Sequence, residues 1–336
     1  MRTVTAHKRK RQSLYVKRRN RTLKPALLSA GAFLLLVTFF LVRGLISPVV
    51  SALSSNASDL KNTDVYSVLL AEKGDDEMIT SLKLLIIQKK DKQLFAFAIS
   101  PTQAIDMPGK LGEEQIGKAV QIGKALLYDT NESQLLSDAV RKLTAYTIDR
   151  YIIAPTDTYG IIDQSVFGGG IKMLLPWNFS AFGRGVGTNM SSGEVIDFFL
   201  FTNGLEPGDT ELYEFAEVAD MNAKFRDIAL NSDVSAEALD VVVLNGTGSS
   251  DLAKIISDMC QNAGMKVILI GNTVNLYERS LIITDNFATP TVKKLLASFP
   301  SARLVSRSEA LGLDEDLVDR GDVIVVSGFD ILPLVQ

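Results

Sequence analysis

Apolar positions along the chain fall into three regimes. From Pro25 to Val42 eighteen residues pass without a charge (PALLSAGAFLLLVTFFLV), and after Arg43 the stretch GLISPVVSAL is again uncharged. At about 1.5 Å per residue that first run spans roughly 27 Å, close to the hydrocarbon thickness of a bilayer. Residues 25–47 are therefore predicted to form one transmembrane helix, with Arg43 snorkelling to the interface. In the second regime short apolar runs predict strands over Val65–Ala71, Ile79–Gln88 and Gln93–Ser100, the last two split by the turn-like KKDK, and over Arg150–Ala154. Helical spacing predicts helices over Glu113–Leu127, Gln134–Thr144, Ser191–Asn203 and Thr210–Leu230. The final hundred residues alternate more cleanly. Strands are predicted over Asp240–Leu244, Lys266–Gly271, Ser280–Thr284, Ala302–Ser306 and Asp322–Ser327, and helices over Ser250–Ala263 and Thr289–Phe299.

This rhythm predicts an α/β protein in several parts. Residues 1–24 form a basic tail, 25–47 the transmembrane helix and 48–62 a Ser- and Asn-rich linker. Residues 63–230 form a first α/β domain, 231–239 a polar linker and 240–336 a small second α/β domain.

Charge placement sets an orientation. Residues 1–24 hold ten Lys or Arg and no acid, whereas beyond Arg43 24 basic residues stand against 39 acidic ones. Cations flanking an apolar span stay cytoplasmic, so the N-terminus is expected inside and everything after residue 50 outside, making this a single-pass signal-anchor protein of the cell membrane. The apolar run is too long, and the basic head too extended, for a cleaved signal peptide. The run KRKRQSLYVKRRNR would also attract nucleic acid, but beside an apolar span its topology role and contact with anionic membrane lipid account for the same residues. Membrane lipid is thus an expected partner and nucleic acid is not.

Side-chain chemistry narrows the functions further. The single histidine, His7, lies in the basic tail, which removes imidazole bases and the usual zinc sites. The single cysteine, Cys260, excludes an intramolecular disulfide and sits in a helical pattern as a small core residue. Gly74-Asp75-Asp76-Glu77 gathers carboxylates as a solvated loop or a hard-cation site, the loop being preferred. Gly168-Gly169-Gly170 lacks the Lys-Ser/Thr of a phosphate loop. The run Phe198–Phe201 is read as core. The most specific local signal is Asn245-Gly246-Thr247-Gly248, between an apolar strand and a helix. It reads either as a tight turn with Ser249 or Ser250 capping the helix, or as a ligand-binding site at the helix N-terminus, the turn being preferred.

These residues carry a resemblance. The stretch Asp240–Asp330, with VVVLNGTGSSDLA, AGMKVILIGN and the closing DVIVVSGFD, resembles the C-terminal domain of LytR–CpsA–Psr (LCP) envelope proteins. In residues 63–230 the segments VYSVLLA, FAFAISPT, TIDRYIIAPTDTYGIID, FGGGI and SSGEVIDFFLFTNG follow the order of that family's catalytic domain, so this region looks like a degenerate LCP domain. The resemblance implies attachment of lipid-carried, phosphate-linked glycopolymer to peptidoglycan, through aspartates and arginines around a pyrophosphate and Mg²⁺. Yet Ile99-Ser100-Pro101-Thr102-Gln103 stands where the family has an Arg-Asp pair. Phe199-Leu200-Phe201-Thr202-Asn203 stands where it has an Arg-bearing segment, and near Met78 and Thr80 only Glu77 keeps a charge. Neutral side chains cannot replace bidentate arginine contacts to pyrophosphate.

The expectation is a non-catalytic LCP-like binding or scaffold module in cell-wall organisation, a pseudoenzyme without cofactor, in contact with wall glycopolymer or envelope proteins. The alternative is an active phosphotransferase using Mg²⁺ and relocated residues, Asp75, Asp76, Arg141, Arg150 and Arg184, which must then converge on one cleft. A third reading makes the basic tail a DNA-contacting regulator.

Overall fold

The computed structural model describes residues 63–126, 133–168, 185–214, 218–230, 232–310 and 319–332, all within one compact unit, Asn56–Gln336. The basic tail, the apolar run 25–47 and the linker 48–62 lie outside the described residues. Among the described residues no helix is long and apolar enough to cross a membrane.

The first part is built on strands β1 (Val65–Lys73), β2 (Ile79–Gln88) and β3 (Gln93–Ala98). A ribbon of β4 (Ala104–Met107) and β5 (Gly112–Gln115) follows, then helices α1 (Ala119–Ala125) and α2 (Gln134–Thr144). Next come β6 (Arg150–Pro155), α3 (Thr156–Phe167), β7 (Gly187–Thr188), α4 (Ser192–Asn203), β8 (Thr210–Glu214), α5 (Val218–Ala229) and the short α6 (Asp233–Glu237). The sheet order is β7-β6-β1-β2-β3-β8. The meander β1–β2–β3 is antiparallel, and β6 and β8 join it in parallel on either side. Both faces are covered, which explains why the central strands read as continuous apolar runs rather than alternating ones. Leu69, Leu84, Ile86 and Phe97 pack beneath α1, α2 and α5, while Val68, Leu70, Leu85 and Ile87 pack beneath α3 and α4. Leu135, Leu136, Ala139 and Val140 of α2 are fully buried, and each such leucine contributes roughly 1.5–3 kcal/mol.

The second part contains β9 (Asp240–Asn245), α7 (Leu252–Asn262), β10 (Lys266–Asn272), β11 (Leu281–Ile283), α8 (Pro290–Ser298), β12 (Arg303–Val305), α9 (Arg307–Ala310) and β13 (Val323–Ser327). Its sheet runs β10-β9-β13-β11-β12, with only the β11–β13 pair antiparallel. Val241, Val243, Val323 and Val325 face α7 and α8, which contribute Ile256, Cys260, Val292 and Leu295 to the same core.

Two predicted helices are only partly helical. Residues 113–115 pair with β4 as β5, because Gly112 (φ +86°) turns the chain back before helix can begin. Residues 210–214 form β8, since Tyr213 stacks on Phe97 with centroids 5.1 Å apart and β3 offers an open edge. In both segments tertiary pairing overrides local propensity. Residues 233–237, inside the predicted polar linker, form α6.

Side chains lock the two parts together. Asn262 of α7 donates to the Ala145 carbonyl at 2.8 Å and to Asn222 at 2.8 Å, capping α2 where Ala145 turns left-handed (φ +48°). Lys294 of α8 meets Asp149 at 2.8 Å, both side chains about nine-tenths buried, and Asp149 also accepts the Ser67 amide at 2.9 Å.

Candidate functional site

The Asn245–Gly248 turn closes on itself. Asn245 Oδ1 accepts from the Thr247 amide at 3.0 Å and the Thr247 hydroxyl at 2.8 Å, while Asn245 Nδ2 donates to the Ser249 carbonyl at 2.6 Å. Thr247 Oγ1 in turn accepts from the Ser249 amide at 3.1 Å. Gly246 donates to the Ser327 carbonyl and accepts from the Tyr277 amide, at 2.9 and 2.7 Å. A Cβ on Gly246 would sit 2.6 Å from the Ser327 carbonyl oxygen, so only glycine fits. The helix cap differs from expectation. Asp251, left-handed at φ +63°, occupies the N-cap of α7 and makes no side-chain cap bond, so neither Ser249 nor Ser250 caps it. Ser249 is drawn instead into the bonds of the turn.

The closing motif interlocks with this turn. Asp330 Oδ1 accepts from the Ser280 amide and hydroxyl at 2.8 and 2.7 Å, and its Oδ2 accepts from the Ser301 hydroxyl at 2.7 Å. The Gly328 amide donates to Ser280 Oγ at 2.9 Å, and the Phe329 amide to the Tyr277 carbonyl at 2.9 Å. Tyr277 thus bridges the two motifs, and backbone of Arg279 fills the space a Cβ on Gly328 would need.

Each described arginine of the first part meets a carboxylate, and two of them are buried. Four arginines lie between residues 63 and 230, of which Arg184 falls outside the described residues. Arg150 Nε and Nη2 meet Glu194 Oε1 at 3.1 and 2.6 Å, and its Nη1 donates to the Asp149 carbonyl at 2.8 Å. Glu194 is itself the third residue of a capping box, accepting the Ser191 amide at 2.7 Å while Ser191 Oγ accepts the Glu194 amide at 3.3 Å. Arg141, buried on α2, faces Asp138 at 3.4 Å, and Arg226 meets Asp258 at 2.8 Å. Burial, reinforced by Asp197, Glu194 and Asp149, pushes the nearby Tyr66 phenol upward in pKa, so it stays protonated.

The acidic loop points elsewhere. Asp76 Oδ1 accepts the Met78 amide at 3.1 Å, and Glu77 pairs with Lys124 at 2.5 Å, which lowers the Glu77 pKa. Among the described residues no three His, Cys, Asp or Glu side chains converge on one point. This loop follows the end of β1, where Lys73 aligns with Pro155, whereas Arg150 aligns with Val68. Five residues of strand separate the two levels, about 16 Å. Asp75 and Asp76 therefore do not share a cleft with Arg150.

Other predicted positions are structural. Ser100 and Thr102 hydrogen-bond each other at 2.9 Å in the turn after β3. Phe198 and Phe199 are core, while Leu200 is exposed. Cys260 is buried, and desolvation pushes its thiol up to about 12. Residues 169–184, with Trp177, lie outside the described residues. Sequence reasoning missed Glu194, Asp149, Lys294 and Asp330. Only Glu194 had a readable signal, the Ser-x-x-Glu spacing from Ser191.

Residues 238–330 match the family described as LytR cell envelope-related transcriptional attenuator, in agreement with the resemblance read from Asp240–Asp330. No curated protein matches the chain. Among solved structures, TagT bound to LIIa-WTA is 13% identical, with 45% of this chain covering 78% of that one at a TM-score of 0.33. TagV of B. subtilis is 12% identical, with coverages of 46% and 85% and a TM-score of 0.35. The LytR-CPS2A-psr family protein YwtF (TagT) with bound octaprenyl pyrophosphate lipid is 16% identical, with coverages of 45% and 77% and a TM-score of 0.32.

Proposed function

From a C-terminal segment of LytR type, residues 238–330, we propose that this chain is a non-catalytic envelope protein. The apolar run 25–47 anchors it in the cell membrane, and residues 63–336 bind wall glycopolymer or another envelope protein outside. The observation that carries this reading is the pairing of every described arginine of the first part with a carboxylate of the fold, two of them buried. Each described arginine of residues 63–230 pairs with a carboxylate of the same chain: buried Arg141 with Asp138, buried Arg150 with Glu194 and half-exposed Arg226 with Asp258. Phosphoryl transfer rests on cations and metal arranged around the transferring group, and the guanidinium groups of Arg141 and Arg150, buried against carboxylates, do not supply them. The reading requires no cofactor. The turn at Asn245, Gly246, Thr247 and Gly248 acts as a structural joint rather than a ligand site, since each hydrogen-bonding group of its Asn245 side chain is engaged there.

The transferase alternative needs Asp75 and Asp76 beside Arg150, and the strand length between them opposes it. Binding is tested by co-sedimentation of the full-length, detergent-solubilised chain with purified wall polymer. Saturable retention is expected. A chain that stays wholly in the supernatant, while protease on intact cells spares residues 63–336, would remove both the polymer and the outside placement.

A further inference from the structure

Four side chains of alternating charge run from the second part through the first sheet. Lys294 of α8 donates to both oxygens of Asp149, at 2.9 and 2.8 Å. Arg150 Nη1 donates to the Asp149 carbonyl at 2.8 Å, and Arg150 Nε and Nη2 reach Glu194 Oε1 on α4 at 3.1 and 2.6 Å. Glu194 Oε2 then accepts the Ser191 amide at 2.7 Å, within the capping box that starts α4. The side chains of Lys294, Asp149, Arg150 and Glu194 are each about nine-tenths buried. At that depth water does not replace a lost partner, so each link depends on the next.

Strand geometry explains how the run passes through the sheet. Successive side chains of a strand point to opposite faces. Ile152 of β6 lies in the core beneath α3 and α4, and Tyr151 in the core beneath α1, α2 and α5. Arg150 therefore projects with Ile152 toward α4, and Asp149 to the other side, where α8 meets it. Ser67 of β1 fixes the crossing point: its amide donates to Asp149 Oδ2 and its Oγ accepts the Asp149 amide, both at 2.9 Å.

We propose that this run is a conformational strap: seating of Lys294 on Asp149 sets the start of β6, and through Arg150 it holds the first turn of α4 on the far face of the first sheet. The second part is then more than a neighbour of the first. Drawing α8 off Asp149 loosens α4, and fixing α4 tightens the joint, since a coupling free energy acts in both directions.

Two independent local ion pairs would behave differently, and amide exchange in the full-length, detergent-solubilised chain tells them apart. In Lys294→Met the Glu194 and Val195 amides of α4 are expected to exchange about fivefold faster or more. The last turn of α3, a helix end on the same core outside the run, keeps its rate. Asn262→Ala loosens the joint at the end of α2 instead, and leaves the first turn of α4 at its wild-type rate. In the reverse direction, Glu194→Ala speeds exchange across Pro290–Ser298 by a similar factor. Faster exchange confined to α8 in Lys294→Met, with α4 unchanged, overturns the proposal. So does an equal rise at the last turn of α3, or an equal rise at α4 in Asn262→Ala, because α4 then only reports a loosened fold. Should Lys294→Met not fold, the Glu194→Ala chain decides alone, and an unchanged α8 there overturns the proposal.

Discussion

Gly246 and Gly328 are held by neighbouring backbone rather than by any need for unusual φ at their own positions. A methyl at Gly246 meets the Ser327 carbonyl oxygen and the Tyr277 ring, and the interlock between the Asn245 turn and the closing motif must open to admit it. Gly246→Ala is expected to destabilise the fold by about 1–3 kcal/mol, read as a lower urea midpoint with an unchanged m-value. Cys260 makes a second prediction. Its thiol is buried and pushed up to about 12, so iodoacetamide at pH 8 should leave it unmodified in the native chain and label it fully in denaturant. Rapid native labelling would contradict its place in the core. Glu77 adds a pH effect. Its pairing with Lys124 lowers its folded pKa, so the stabilisation is present above the ordinary carboxylate pKa and disappears as pH falls through the lowered value. Glu77→Gln should therefore flatten the acid side of the stability–pH curve by slightly lowering stability at neutral pH while leaving it unchanged below the lowered pKa, read from urea midpoints across pH.

At the scale of elements, the joint between the two parts rests on ends of strands and helices. Asp149 precedes β6, Ser67 lies in β1 and Lys294 comes from α8, so one buried ion pair ties the first sheet to a helix of the second part. Lys294→Ala leaves that carboxylate buried without its cation and is expected to cost about 3–5 kcal/mol, with Asp149→Asn in the same chain recovering part of the loss. Urea titration of the single and double variants checks it, and additive losses would show that the two groups are not coupled. The elements themselves were legible in the chain wherever burial alone decides. β2 and α2 match the predicted ranges residue for residue, because a continuous apolar run and a one-sided apolar stripe leave little choice. β5 and β8 were not legible. GEEQ and TELYE are weak patterns alone, and they become strands because β4 and β3 present open edges beside them.

For the whole molecule, the resemblance of residues 240–330 to a LytR-type domain was readable because its signals are local, a glycine turn after an apolar strand and a glycine motif near the end. The fate of the arginines was not. Arg150 in TIDRYIIA reads equally as a free cation or a structural one, and only the fold brings Glu194, 44 residues away in sequence, to its guanidinium. Asp330 likewise looks like a free terminal acid until Ser280 and Ser301 surround it. The account turns on whether those committed charges leave any transferase chemistry. The most direct measurement incubates the full-length chain with a polyprenyl-pyrophosphate-linked glycan, peptidoglycan acceptor and Mg²⁺, and follows release of polyprenyl phosphate. No release above the protein-free control is expected. Turnover that rises in proportion to the chain added would contradict the account.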